Sequence, residues 1–268
     1  MKLIIGPPGS GKTTQVLDAV RARLSRGDDR FRLVVPTSTM AGHSRNLLAR
    51  EGLIVRPSRI VTLAGLISEV LPEAQAAGET ELTLIVEEVI ERLKPRSFAA
   101  AMDTPGLAAA IAGALLELAG GGGGADQWQA LGSMRVWTSP AMADLGRIYS
   151  EVESELKRRR LMTSPGLVSA AASAIGEGAL DGCGALYFDG FFTLSPVEAS
   201  LIRAAARRMD VSVTLPEWPG AAEARQSLLA AGAVEQRLAA VRAVPKIEIA
   251  PAATNHREAG EIARRILA

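Results

Sequence analysis

A chain of 268 residues holds one large domain, or one domain carrying an insertion, and 48% hydrophobic with 22% charged content is ordinary for a globular protein. Thirty Lys and Arg against 29 Asp and Glu leave a net charge of +1, so no global field marks a nucleic-acid binder and any DNA contact must come from local groups. A single cysteine, Cys183, excludes disulfides within the chain and multi-cysteine metal or iron–sulfur centres. No apolar run reaches membrane-spanning length and Met1 leads directly into a strand, so a cytoplasmic protein without a membrane partner is expected.

The first predicted element is the buried strand Leu3-Ile4-Ile5. Directly behind it stands Gly6-Pro7-Pro8-Gly9-Ser10-Gly11-Lys12-Thr13, which fits G-x-x-x-x-G-K-[ST] at every fixed position. Glycines at this spacing let the backbone turn sharply and aim successive N–H groups at one phosphate. Lys12 then reaches the β- and γ-phosphates, and the Thr13 hydroxyl ligates Mg²⁺. Thr14 follows on the same turn. A helix from Thr13 to about Leu24 places Val16, Leu17, Val20 and Leu24 on one face. Strand, glycine loop and helix together point to ATP with Mg²⁺; a plain glycine-rich turn is the bland alternative.

Two further strand–helix units follow. One pairs 31–36 with a helix from about Thr39 to Arg50; the other pairs 59–61 with a helix from about Leu63 to Val70. This alternation argues for a parallel, doubly wound sheet. From about Pro72 to Glu177 the periodicity is helical, with almost no strand signal. Helices are predicted at Glu79–Leu93, Pro105–Ala119, Ser139–Arg160 and Pro165–Ile175, and a flexible glycine run spans 120–124. Strands return at 185–189 and 211–215, with a helix from Pro196 to about Arg208 between them. A helical segment is predicted over about 221–241, a strand over 246–249 and a closing helix from about Asn255 to Leu267. The economical division is a discontinuous α/β domain of residues 1–71 and 179–268, interrupted by a helical insertion at 72–178.

A nucleotide site of this kind needs a carboxylate at the end of a second buried strand to order the Mg²⁺ shell. Asp189, closing Ala185-Leu186-Tyr187-Phe188, meets that requirement; an ordinary turn aspartate before Gly190 is the alternative. Motor ATPases often place a glutamate next, to polarise the attacking water. Here Gly190 stands in that position. Glu198 is near in sequence, but Ser195-Pro196-Val197-Glu198 reads as a capping box. Binding is therefore expected, and fast hydrolysis is not.

These motifs, in this order, resemble the N-terminal part of the AddB-type subunit of bacterial helicase–nucleases, a family related to superfamily 1 helicases. The glycine loop matches helicase motif I. Val34-Val35-Pro36-Thr37-Ser38 resembles motif Ia, and Ile60-Val61-Thr62-Leu63 is similar to the threonine-hydrophobic segment that follows it. Tyr187-Phe188-Asp189-Gly190-Phe191 resembles the family's aspartate-glycine-phenylalanine strand end, and 255–263 looks like the opening of the second motor lobe. The resemblance implies an α/β P-loop NTPase fold, specifically a RecA-like helicase lobe with an all-helical insertion. It implies that Lys12 and Asp189 serve the nucleotide and that Thr37, Ser38 and Thr62 touch single-stranded DNA. Double-stranded DNA ends and a partner helicase–nuclease subunit are the implied partners. The glutamine loop expected after 211–215 is replaced by Pro216-Glu217-Trp218-Pro219-Gly220. By the same resemblance, second-lobe arginines and a nuclease domain with its cysteine-ligated cluster would lie past Ala268. The residues then correspond to the first lobe of a longer protein, as a fragment or a natural truncation, without nuclease or translocation activity of their own.

Other readings stay open. A small-molecule or nucleotide kinase carries the same glycine loop, with the helical insertion as its lid, although no arginine-rich lid motif is present. A non-catalytic scaffold for a partner subunit fits the missing glutamate. Thr37 and Ser38 suit phosphate contacts at a helix start, and equally suit capping. Arg45, Arg50 and the run Lys157-Arg158-Arg159-Arg160 are candidate basic contacts against a default of solvated surface. Trp128, Trp137 and Trp218 suit stacking or packing, and His43 and His256 lack any metal-ligand pattern.

Overall fold

Apolar strands without alternation must be covered on both faces, and the architecture follows that rule. The computed structural model describes residues 1–123, 140–240 and 250–267. In chain order the first half comprises β1 (Lys2–Gly6), α1 (Lys12–Leu24), β2 (Phe31–Val35), α2 (Ser38–Arg50), β3 (Ile60–Thr62) and α3 (Leu63–Val70). Then come β4 (Gln75–Ala76), α4 (Glu79–Leu93), α5 (Leu107–Gly120), α6 (Pro140–Arg158), β5 (Leu161–Met162) and α7 (Ser164–Glu177). The rest comprises β6 (Ala185–Phe188), α8 (Pro196–Ala206), β7 (Asp210–Pro216), α9 (Ala222–Ala230), β8 (Val234–Arg237) and α10 (Asn255–Leu267).

The described residues form a six-stranded sheet in the order β3-β2-β6-β7-β1-β8, parallel throughout. Every residue of β2 and β6 is buried. On one face Val16, Leu17 and Val20 of α1 and Ala41 and Leu48 of α2 pack on Ile4, Leu33 and Val35. On the other, Leu3, Ile5, Leu186 and Val213 pack against α3, α7, α8 and α9. Truncating one such fully buried side chain, as in Leu33→Ala, costs about 2–5 kcal/mol. Helices α4, α5 and α6 share a separate core around Ile85, Val89, Leu115, Ile148 and Val152. Helix α7, by contrast, buries Val168, Ala171 and Ile175 against the sheet side.

The expected α/β class is the observed one, with a parallel sheet flanked by helices on both faces as in RecA-like folds. The predicted helices 63–70, 79–93 and 255–267 match the observed bounds. One expectation is corrected. The single helical segment expected over about 221–241 is not formed by 221–240: α9 stops at Ala230, Gly232 takes a left-handed turn (φ +85°), and β8 pairs with β1 from Lys2↔Val234 to Ile5↔Arg237. The free edge of β1 decides this, because Met1 and Ile5 carbonyls accept from Val234 and Leu238 N–H groups and a strand satisfies them where a helix would not. Within the mainly helical stretch, β4 and β5 add one short parallel pair, Gln75↔Leu161 and Ala76↔Met162. The strand predicted at 246–249, together with Ser139, Trp128 and Trp137, lies outside the described residues.

Candidate functional site

Parallel strands send all their following loops to one edge of the sheet, where α/β proteins place ligands. The turns after β1, β2, β3, β6 and β7 therefore share that edge. The glycine loop lies between β1 and α1. Gly9 and Gly11 hold φ of +74° and +85°, values that L side chains rarely adopt, and Gly11 is the N-cap of α1. A cavity of about 350 Å³ is lined by Gly9, Ser10, Gly11, Lys12, Thr13 and Thr14. The Lys12 ammonium folds over the loop and donates to the Gly6 carbonyl at 2.7 Å and the Pro7 carbonyl at 2.9 Å. Burial lowers its pKa, with Asp189 and Glu217 acting in the opposite direction. Thr13 and Thr14 are exposed.

Asp189 follows β6 and is 3% exposed. Its backbone N–H donates to Val34 O of β2, and its Oδ1 accepts from the Thr214 hydroxyl of β7 at 2.7 Å. The same hydroxyl oxygen accepts from the Gly190 N–H at 3.2 Å. Lys12, Thr13 and Asp189 come together with Met40, Gly190, Phe192 and Thr214 around a cavity of about 290 Å³. Among the described residues Asp189 is the one carboxylate lining it. Thr214 and Met40 escape a reading of the sequence, since a threonine in an apolar strand and a methionine in a helix carry no chemical signature of their own.

The donor set fits a polyphosphate with a divalent cation. Six consecutive loop and helix-start residues line one cavity, a lysine is held beside it, and a hydroxyl and a buried carboxylate border the next.

Thr37 caps α2, accepting from the Met40 N–H at 3.2 Å, and Thr62 caps α3, accepting from the Gly65 N–H at 3.1 Å. Ser38 opens α2 and is exposed. All three lie on the same sheet edge, Val35 and Thr62 being partners in the β2–β3 register, but none lines the two cavities above. Beside Asp189, the Trp218 Nε1–H donates to the Phe192 carbonyl at 2.7 Å, with Phe192 75% and Trp218 50% exposed.

Several other candidates have structural duties. Glu198 Oε2 accepts from the Ser195 N–H at 2.7 Å and from its hydroxyl at 3.0 Å, completing the capping box. Arg45 Nη1 donates to Ile60 O, while Arg158 and Arg159 pair with Glu155 and Glu88. Cys183 is buried, its thiol pKa pushed up by burial. A larger cavity of about 510 Å³, lined largely by apolar side chains of α3, α7 and α8, reaches Glu198 only where that carboxylate is already engaged. No helix among the described residues is long and apolar enough to cross a membrane.

A six-stranded parallel sheet flanked by helices on both faces is consistent with a RecA-like α/β fold. The family model described as ADDB, N-terminal matches residues 3–263. The chain belongs to this family, and is thus an AddB-type helicase–nuclease subunit region. No curated protein matches the sequence. Family membership displaces the kinase alternative.

Proposed function

We propose that this lobe binds Mg-ATP and single-stranded DNA as the N-terminal part of a subunit that repairs DNA double-strand breaks with a partner helicase–nuclease subunit. In this reading the glycine loop Gly6–Gly11 and Thr14 hold the phosphates, Lys12 reaches the β- and γ-phosphates, and Thr13 with Asp189 holds Mg²⁺. Mg²⁺ supplies charge neutralisation on the phosphate oxygens. Thr37, Ser38 and Thr62 hold the DNA backbone, and residues 72–178 form an insertion in the lobe 1–71 and 179–268, its last helix α7 packing back on the sheet side. The observation that carries the reading is the convergence on one cavity of Lys12 and Thr13, at the start of α1, and Asp189, at the end of β6.

Turnover by this chain alone is weak or absent. The residue after Asp189 is a glycine at φ +85°, and among the described residues no second carboxylate lines the cavity to polarise water. The nucleotide then acts as a conformational ligand, a role compatible with scaffolding a partner.

Anisotropy of a labelled single-stranded oligonucleotide, titrated at low salt with and without Mg-ATP, tests the DNA half. Low salt is required because phosphate contacts weaken steeply as counterion concentration rises. The expected result is binding that shifts with Mg-ATP and weakens when Thr37 and Thr62 are both replaced by Val. Binding indifferent to both changes would overturn the assignment of those residues.

A further inference from the structure

Met40 belongs to both proposed sites. Its backbone N–H is the group that the Thr37 hydroxyl caps, so it fixes the first turn of α2. Its side chain lines the cavity that Lys12, Thr13 and Asp189 share. A Cβ built at Gly190 would lie 2.4 Å from the Met40 terminal methyl and 3.5 Å from Pro36 Cδ. The thioether therefore fills the space beside the Asp189–Gly190 turn where a side chain at 190 would stand. Methionine is unbranched and adaptable, with three rotatable side-chain bonds.

We propose that Met40 is the positioning residue through which occupancy of the phosphate cavity reaches the Thr37 turn. The inference rests on the nucleotide reading above. A Mg-nucleotide bound between Lys12 and Asp189 enters the cavity that the methyl lines and shifts the thioether. The shift passes along the side chain to the backbone that Thr37 caps, and so alters how the α2 N-terminus is presented at the sheet edge.

Hydrogen exchange of the intact chain, with and without a non-hydrolysable Mg-ATP analogue, separates this inference from its premise. In the wild type the peptide covering 6–14 gains protection, and exchange in the peptide covering 36–44 changes several-fold. Met40→Ala loses the second effect even when the analogue is raised until protection at 6–14 reaches the wild-type level. Met40→Val, which keeps bulk near the backbone but lacks the thioether reach, does the same, whereas Met40→Leu retains both. Melting curves of each variant exclude general loosening. No protection at 6–14 would sink the nucleotide reading and this inference with it. Protection at 6–14 with an unchanged 36–44 peptide, or a nucleotide response at 36–44 that survives in both shortened variants, would overturn the inference alone.

Discussion

Thr214 and Asp189 are joined by a buried hydrogen bond of 2.7 Å between neighbouring strands β7 and β6, and the same threonine oxygen receives the Gly190 amide. The hydroxyl thus fixes both the carboxylate and the turn that follows it.

Thr214→Val keeps the shape and removes the hydroxyl, leaving a buried carboxylate oxygen and a backbone N–H without that partner. A loss of about 1–3 kcal/mol is expected, read as a lower urea midpoint with an unchanged slope. Affinity for Mg-nucleotide should fall as well, because Asp189 loses the contact that orients it.

The pH dependence of nucleotide binding follows from Lys12. The ammonium is the binding form, and burial lowers the pKa of the free protein below the usual lysine value. Affinity is therefore flat at pH values below that lowered pKa and falls as pH rises through it, by at most about tenfold per pH unit for one proton. Isothermal titration across the alkaline range checks the slope. Lys12→Arg, which stays charged, should remove the pH dependence even where its affinity is poorer.

Arg32 of β2 is 8% exposed and pairs with Glu69 of α3 through one guanidinium edge, its Nε and Nη2 each donating to a carboxylate oxygen. Glu69→Gln leaves a nearly buried cation with a neutral partner. Breaking a fully buried pair costs about 3–5 kcal/mol; Glu69 is one-third exposed, so solvent screening reduces the expected cost to about 1–3 kcal/mol. Replacing the pair together, Arg32→Met with Glu69→Leu, should recover most of that loss in chemical denaturation.

How much of this was legible beforehand depended on whether the signal was local. The glycine loop, the Ser195–Glu198 capping box and the strand-then-Asp189 pattern are local, and each sits on the element expected for it. The edge strand β8 was missed because Val234-Glu235-Gln236-Arg237 has no apolar run. It is held by pairing with β1 and by ion pairs from Glu235 to Arg225 and from Arg237 to Glu217, all between residues on different elements. Charges of this kind are what an exposed sheet edge carries. Thr214 and Met40 were missed for a related reason: only the order β2-β6-β7 brings them to Asp189 and Gly190.

The central claim is that Lys12 and its loop hold a nucleoside triphosphate, and direct binding tests it first. A fluorescent Mg-ATP analogue titrated into the wild type and into Lys12→Ala should give saturable binding in the first. In the second, affinity should be weaker by about tenfold to a hundredfold, the cost of losing a charged hydrogen-bond donor of about 1.5–3 kcal/mol. Equal affinity in the two proteins would contradict the account.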